Sequence, residues 1–412
     1  MLPGRLTPRL VECVVRLGSW TPFAPAATML AFFTGTRVSE PTVRRLTETA
    51  GALYVAVQTT AVEHLERDAP DVPTGPAVQQ VSVDGAMVPL VGGDWAEVKT
   101  LAIGTVATPG QTQDLSYFSR LADADSFTRL ALVETHRRGT ATAGVVCAVG
   151  DGAPWVQGFI DYHRPDAVRI LDFPHAAEHL SQVAQALWGA GTPASSQWLT
   201  AQLHALKHGD PARVLATLRG LRDDLALVVG SPRPAAVQLL TDGLNYLEKR
   251  QAHLAYAQFQ AAGYPIGSGA VESANKLVVE ARLKGSGMHW ARAHVNPLVA
   301  LRTVVCSNRW DEAWPRIHAR WRQSPQAQAG VRQRGQPVSP APLAAAGAPC
   351  PRAPLPTDTW RDTDLTDGRA AAPASPPPST GPHRPAADHL WRRARIGRGQ
   401  RALAGSPTSA VS

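Results

Sequence analysis

Cysteine is scarce in this 412-residue sequence, which contains only Cys13, Cys147, Cys306 and Cys350. No two of them form a CxxC pair, so the spacing fits neither a zinc ribbon nor a disulfide framework. Long apolar runs are also missing, and none approaches the roughly 18 residues that a membrane-spanning helix needs. These absences predict a soluble, cytoplasmic protein, and the length leaves room for two or three domains.

Positive charge exceeds negative charge, with a formal net charge of +8 at pH 7. Residues 323–412 hold eleven Arg and five Asp and therefore carry most of this excess. Basic composition is for that reason weak support for nucleic-acid binding by the rest of the chain. The same ninety residues contain fifteen of the 35 prolines and show neither helical nor strand periodicity. We predict a disordered Pro/Ala/Arg-rich tail over 323–412.

The N-terminal region, residues 1–75, has a helical pattern. Residues 25–33 and 39–50 predict two short helices, with a serine N-cap before the second and Gly51 at its end. Such a pair suits a helix-turn-helix with Arg44 and Arg45 as DNA contacts. Packing of an ordinary helical pair is the alternative, and the pattern alone leaves both open.

Residues 76–322 have the pattern of an α/β domain. Strands and helices are predicted in this order: strands 80–90 and 96–107, helix 123–138, strand 144–149, helix 155–162 and strand 167–172. This order predicts a mixed sheet with helices on both faces. Residues from about 180 to 260 have helical spacing with Gly and Pro breakers, which predicts an all-α insertion. A Gly-rich loop at 264–269 then leads into a predicted helix over 270–283.

Three acidic residues are candidates for chemistry. Asp84 and Asp151 end predicted strands and are each followed by glycine, although an Asp-Gly step is ordinarily just a turn. A carboxylate at the end of an interior strand is costly without a positive partner, and α/β sheets place their sites at strand ends. Glu272 lies on the helix after the Gly-rich loop, where an ion pair with Lys276 is the ordinary interpretation.

Two aspartates and one glutamate form an all-oxygen set suited to hard cations. Carboxylates that lie close together repel unless divalent ions neutralise them. Two such ions about 4 Å apart can activate a water or a 3′-hydroxyl and stabilise the leaving oxygen of a phosphodiester. The lack of cysteine ligands favours Mg²⁺ or Mn²⁺ over zinc.

Four stretches together resemble bacterial insertion-sequence transposases of the ISKra family. They are VSVDGAMVPL, VGDGAPWVQGFID, ILDFPHAAEHL and, above all, GSGAVESANKLVVEARLKGSGMHW. The likeness covers residues 5 to 322. This family belongs to the Mutator-like group of DDE transposases, so the resemblance implies a ribonuclease-H-like fold that the all-α insertion interrupts.

The resemblance implies that Asp84, Asp151 and Glu272 are the catalytic acids and hold two Mg²⁺ or Mn²⁺ ions. It also places Asp172 and His175 near the active site, as a D-x-x-H signature. For His175, a histidine that simply starts a helix and is satisfied by local hydrogen bonds is the alternative.

The resemblance further implies DNA as the partner, both the terminal inverted repeats of the element and the target. Phosphate contacts are expected from basic residues that follow Glu272, for which a solvated helix face is the alternative: Lys276, Arg282, Lys284 and His289. We also expect a homo-oligomer on DNA, no membrane association, and a location at the bacterial nucleoid.

The sequence thus predicts a DNA transposase that cleaves at the ends of its element and joins the freed 3′-hydroxyl to target DNA. It departs from the family by lacking paired N-terminal cysteines and by its long tail. A shortened, non-catalytic DNA-binding remnant is therefore one alternative. A hydrolase that uses two carboxylates as acid and base, such as a glycosidase, is another, and it would keep its activity in EDTA.

Overall fold

A five-stranded mixed sheet organises the computed structural model, which describes residues 6–227 and 234–323. Its strands are β1 (Val78–Pro89), β2 (Trp95–Thr108), β3 (Gln111–Arg120), β4 (Val145–Gly150) and β5 (Val168–Leu171). They lie in the order β3-β2-β1-β4-β5. Strand β2 pairs antiparallel with both β1 and β3, whereas β4 runs parallel to β1 and β5 parallel to β4. The predicted α/β class with a mixed sheet is confirmed.

Helices make up most of the remaining described structure. In chain order they are α1 (Pro8–Trp20), α2 (Phe23–Thr34), α3 (Glu40–Asp68), α4 (Ala124–Leu130), α5 (Leu132–Arg137), α6 (Pro154–His163), α7 (Phe173–Trp188), α8 (Pro193–His208), α9 (Pro211–Leu227), α10 (Pro234–Glu248), α11 (Tyr256–Ala261), α12 (Gly269–Ala274), α13 (Ala281–Leu283), α14 (Arg292–Cys306) and α15 (Trp310–Gln323). A π-helical segment, Asn275–Glu280, joins α12 to α13. Within the described ranges, no helix is both long enough and apolar enough to cross a membrane. The predicted disordered tail lies outside the described residues from position 324 onward.

Helix α3 is longer than its sequence pattern indicated. Gly51 was expected to end it, but the helix continues to Asp68. A Cβ atom on Gly51 would lie 2.2 Å from the backbone oxygen of Pro297 in α14. The glycine therefore permits a close crossing of two helices rather than a helix end, and the predicted boundary is wrong.

Helices cover both faces of the sheet. On one face, β1 and β2 contribute Val88 and Val98 to a core shared with α1–α3 and the helices after residue 269. On the other face, Val83 packs in a core with Phe127 of α4 and Phe159 of α6. The N-terminal helices therefore share a hydrophobic core with the strands that carry Asp84.

The helices α7 to α10 form a third core at the parallel edge of the sheet. Ile170 of β5 packs there with Leu180 of α7 and Leu244 of α10, all of them fully buried or nearly so. The segment predicted as an all-α insertion, about 180–260, contains these helices and α11. Its contacts place α10 beside the ends of β4 and β5.

Candidate active site

Asp84 and Asp151 lie side by side, Asp84 within β1 and Asp151 directly after β4. The prediction that Asp84 ends its strand is wrong, because β1 continues to Pro89 and pairs Asp84 with Thr100 of β2. The parallel pairing of β1 with β4 matches Val81 with Ala148, and the same offset continued three residues aligns Asp84 with Asp151. Adjacent strands are about 4.8 Å apart, so the two residues come together at one level. Asp151 is the first residue after the end of β4, at the point where the backbone leaves the sheet.

The surroundings of the Asp84 carboxyl group disfavour its charged form. It accepts hydrogen bonds from the Gly85 backbone amide at 2.7 Å and from Asn275 Nδ2 at 2.9 Å. Burial raises the pKa of Asp84, and the Asp151 carboxylate raises it further, while these hydrogen bonds and nearby His175 oppose the shift. Because burial dominates, Asp84 is a carboxylate that a cation would stabilise.

Asn275 connects Asp84 to the helix that carries Glu272. The two residues are three positions apart, so their side chains lie on the same side of the helix. Asn275 sits at the start of the π-helical segment, a feature that often accompanies functional sites. Its contact with Asp84 therefore directs the Glu272 side of the helix toward the middle of β1, level with the end of β4. Sequence reasoning missed Asn275, although its spacing from Glu272 was the available signal.

Asp172 anchors the Gly-rich loop that precedes this helix. It is fully buried and caps α7, with Oδ2 accepting from the His175 backbone amide at 3.3 Å. Its Oδ1 accepts from the Ser268 backbone amide at 2.6 Å, and Phe173 donates its backbone amide to Ile266 O at 3.0 Å. The loop is thus attached to the end of β5, one strand from Asp151.

Each of the five predicted site residues feels the charge of at least one of the others. His175 Nε2 lies 4.0 Å from Asp172 Oδ2. Burial raises the pKa of Asp172; the Ser268 hydrogen bonds and His175 oppose this shift, and the Glu272 carboxylate adds to it. Since Asp84 is in turn influenced by Asp151 and His175, these side chains occupy one end of the sheet.

The acids lie in the same region of the protein, but they are not arranged around one common metal position. Within the part of the chain that the structure describes, no three His, Cys, Asp or Glu side chains are close enough to hold one metal ion. The donor chemistry nevertheless fits a hard cation, because Asp84, Asp151 and Glu272 offer only oxygen. Asn275 Oδ1 adds a buried oxygen that has no hydrogen-bond partner. The metal-binding role of the three acids stays a prediction.

The basic residues predicted to contact DNA fall into different surroundings. Arg44 and Arg45 are exposed on α3, and Lys276 is exposed on the π-helical segment. His289 is also exposed, whereas Lys284 pairs with Glu280 at 2.8 Å. Lys276 therefore lies on the exposed side of the segment whose buried Asn275 contacts Asp84.

Arg282 is the exception, and its predicted role is wrong. Its side chain is buried, with only 1% of the residue exposed. Its Nε donates to Gly18 O at the end of α1 at 3.1 Å, and its guanidinium lies 4.5 Å from the Phe23 ring and 5.3 Å from the Trp290 ring. A cation at a helix C-terminus is stabilised by the helix dipole. Arg282 therefore joins α1 to α13 and is inaccessible to DNA.

Helix α10 also reaches this end of the sheet. Tyr246 donates its hydroxyl to the backbone oxygen of Asp151, and Arg250, just beyond the helix, donates Nη2 to Gly152 O at 2.8 Å. These residues come 95 and 98 positions after their partners, so no local sequence signal pointed to them.

Comparison with known proteins adds no family assignment. No protein-family model matches the chain, and no curated protein matches it.

Proposed function

We propose that this chain is a DDE transposase of the ISKra type, which cleaves DNA at the ends of its element and transfers the 3′-hydroxyl end to target DNA. The observation that carries the proposal is the meeting of Asp84, Asp151 and the helix of Glu272 at one end of the sheet. The resemblance assigned catalytic roles to these three residues from widely separated segments. A merely structural origin for the acids gives no reason for this meeting.

The proposal includes a ribonuclease-H-like fold for residues 76–322. Its support is a mixed sheet in which β1 has antiparallel neighbours on one side and the parallel pair β4 and β5 on the other. The first acid lies on β1 and the second directly follows β4. The all-α segment then separates the second acid from the helix of Glu272, as the resemblance implies.

Each protein group has a role in this proposal. Asp84, Asp151 and Glu272 would hold two Mg²⁺ or Mn²⁺ ions, which when bound activate the attacking oxygen and stabilise the leaving one. Asn275 orients Asp84, and Asp172 holds the Gly-rich loop so that Glu272 faces the sheet. The exposed Lys276 would neutralise a DNA phosphate.

DNA is the proposed partner, as terminal inverted repeat and as target. Exposed Arg44, Arg45 and His289 are further proposed contacts, and Lys284 would contribute after leaving its pair with Glu280. Assembly of a homo-oligomer on two element ends and association with the nucleoid complete the proposal.

A nicking assay tests the reaction. The substrate is a supercoiled plasmid that carries the DNA flanking the gene on both sides, incubated with Mg²⁺ or with EDTA. We expect Mg²⁺-dependent nicks at the element ends, no nicks by Asp151→Asn, and DNA affinity of that variant within about 2-fold of the wild type. Asp125→Asn, which changes an exposed acid outside the site, is the matched control and should nick normally.

Two outcomes would point elsewhere. Specific DNA binding without nicking by the wild type would favour the non-catalytic remnant. Nicking that Asp151→Asn retains in Mg²⁺ would contradict the assigned acids, and glycoside hydrolysis that survives EDTA would favour the paired-carboxylate hydrolase.

A further inference from the structure

The turn that carries Asp151 has little support from the sheet itself. Strand β4 ends at Gly150, and α6 starts at Pro154. Within the turn, Asp151 Oδ1 accepts the backbone amide of Ala153 at 2.9 Å. This bond fixes the carboxylate relative to the turn but not the turn relative to the protein.

Two side chains from the end of α10 provide the missing attachment. Tyr246 donates its hydroxyl to the Asp151 backbone oxygen, and Arg250 donates Nη2 to the Gly152 backbone oxygen at 2.8 Å. Consecutive carbonyl groups of the turn are thus bound by one region of the all-α segment. A buried carbonyl that lost such a donor would be left unpaired, so these bonds resist displacement.

The two donors are themselves ordered. Arg250 Nη1 donates to Tyr246 O at 3.1 Å, and the guanidinium carbon lies 3.9 Å from the centre of the Tyr246 ring. His179 of α7 stacks on the same ring with centres 3.9 Å apart. Two planar groups at these distances cannot share one ring face, so the tyrosine ring lies between the arginine and the histidine.

Gly152 shows how closely Arg250 approaches the turn. Its φ is +73°, a left-handed value that favours glycine. A Cβ atom at this position would also lie 2.3 Å from Arg250 Nε. The glycine therefore satisfies both the turn geometry and the contact with α10, which explains the Asp-Gly step better than a simple surface turn.

We propose that Tyr246 and Arg250 are positioning residues, which set the place of Asp151 by holding the backbone on which it stands. The all-α segment then acts on the reaction through this contact as well as through any contact with DNA. This inference rests on the proposed function for its effect on cleavage. The contact itself can be tested without DNA or metal.

Hydrogen exchange provides that independent test. In Tyr246→Phe, which removes only the hydroxyl oxygen, we expect the backbone amides of residues 151–155, of which Pro154 has none, to exchange at least 10-fold faster. Amides within α7 and β1 should keep their wild-type rates. Tyr162→Phe, at a tyrosine whose residue is 54% exposed, is the matched control and should leave all these rates unchanged.

Metal binding and cleavage then test the positioning role. We expect Tyr246→Phe to lower Mn²⁺ affinity, followed by electron paramagnetic resonance, and the Mg²⁺-dependent nicking rate by about 10-fold to 100-fold, the range for residues that orient metal ligands. DNA affinity and the unfolding midpoint should stay near the wild-type values. Arg250→Gln, which keeps most of the side-chain stem, serves as a second variant and should act in the same direction.

Each contrary result has a distinct meaning. Unchanged exchange at residues 151–155 in both variants would overturn the inference, as would faster exchange with unchanged Mn²⁺ affinity and nicking. A uniform rise in exchange throughout the protein would also overturn it, because the role would then be general stability. Wild-type protein that neither binds Mn²⁺ nor nicks DNA would refute the proposed function instead, while faster exchange confined to the turn would still support the contact.

Discussion

Replacing Asp84 by asparagine should stabilise the metal-free protein. The carboxyl receives its two hydrogen bonds from uncharged groups, the Gly85 amide and Asn275. Burial dominates the resulting balance and raises the pKa of Asp84 above its ordinary value. The native state therefore carries a charge at pH 7 that costs more there than in the unfolded chain.

The substitution can remove this charge at a constant number of hydrogen bonds, with one end of the Asn275 amide left unpaired before and after the change. Asparagine keeps one oxygen to accept the Gly85 amide and places an NH₂ group opposite Asn275. Asn275 Oδ1 is buried and has no partner, so a 180° rotation of that amide presents an acceptor to the new donor. The hydrogen-bond number is thereby preserved, and the electrostatic change decides the outcome.

The magnitude follows from linkage between protonation and folding. Each unit by which the folded-state pKa exceeds the unfolded one corresponds to about 1.4 kcal/mol, so Asp84→Asn should raise the free energy of unfolding at pH 7. The midpoint of thermal unfolding should rise with it. Since the folded-state pKa is raised, the wild-type contribution is fully present below the unfolded value of 3.8 and is lost as pH rises through the folded value. The variant should lack this part of the pH dependence.

Mg²⁺ should change the comparison. A ligand that binds only the native state stabilises it in proportion to the logarithm of its concentration above Kd. Wild-type protein should therefore gain stability from Mg²⁺, whereas Asp84→Asn should gain far less and should not nick DNA. The difference in Tm between the two proteins should shrink or reverse in excess Mg²⁺.

Thermal unfolding in EDTA and in Mg²⁺, at several pH values from 4 to 8, measures both effects. Asp125→Asn is the control, because it removes an exposed acid outside the site. A variant at Asp84 that is less stable than the wild type by 1 kcal/mol or more in EDTA at pH 7 would refute the reasoning. Favourable interactions in the native state would then offset the cost of burying the Asp84 charge, and the carboxylate would not depend on a cation.

Three further predictions concern other parts of the molecule. Burial lowers the pKa of His163 from 6.5 to about 4. The contribution of its neutral form to the free energy of unfolding, roughly 3 kcal/mol, should therefore be present above pH 6.5 and be lost as pH falls toward 4. His163→Gln should flatten that part of a curve of stability against pH. Gly51→Ala should lower the free energy of unfolding in urea by about 1–3 kcal/mol, because its Cβ would clash with the backbone of Pro297. Gly158→Ala, in an open position of α6, should instead raise that free energy by about 0.5–1 kcal/mol. Lys276→Ala should weaken DNA binding in gel-shift titrations and reduce the salt-dependence slope by about 1, an effect that equal affinity at every salt concentration would contradict.

The sequence predicted the central strands well because their residues alternate or are continuously apolar. The predicted strand 80–90 corresponds to β1 (Val78–Pro89), and the buried-type strand 144–149 to β4 (Val145–Gly150). Strand β3 was not predicted, since its first half, from Gln111, is polar and largely exposed at the sheet edge. Edge strands bury less side-chain surface and so give a weaker pattern.

Residues that act over long distances limited prediction of the site. The acids were recognisable by type and by resemblance. Local pattern placed Asp151 correctly at a strand end, but it also placed Asp84 at a strand end, whereas Asp84 lies inside β1. The hydrogen bonds of Asn275 and Tyr246 to this site join positions 191 and 95 apart, which no local spacing reveals. Arg282 was misassigned for the same reason, because the partner of its side chain lies 264 residues earlier, in α1.

The three acids reach the site by different physical means, and this difference predicts how each can be lost. Asp84 and Asp151 are aligned by strand pairing, which many backbone hydrogen bonds maintain. Glu272 instead follows a loop that few hydrogen bonds attach to the sheet, and the buried Asp172 carboxylate accepts one of them, from the Ser268 amide. Loss of Asp172 would therefore leave the sheet and its two aspartates in place while loosening the loop that precedes the helix of Glu272. A substitution at this buried residue should consequently resemble loss of the glutamate in cleavage assays, even though Asp172 is itself no ligand in the proposed site.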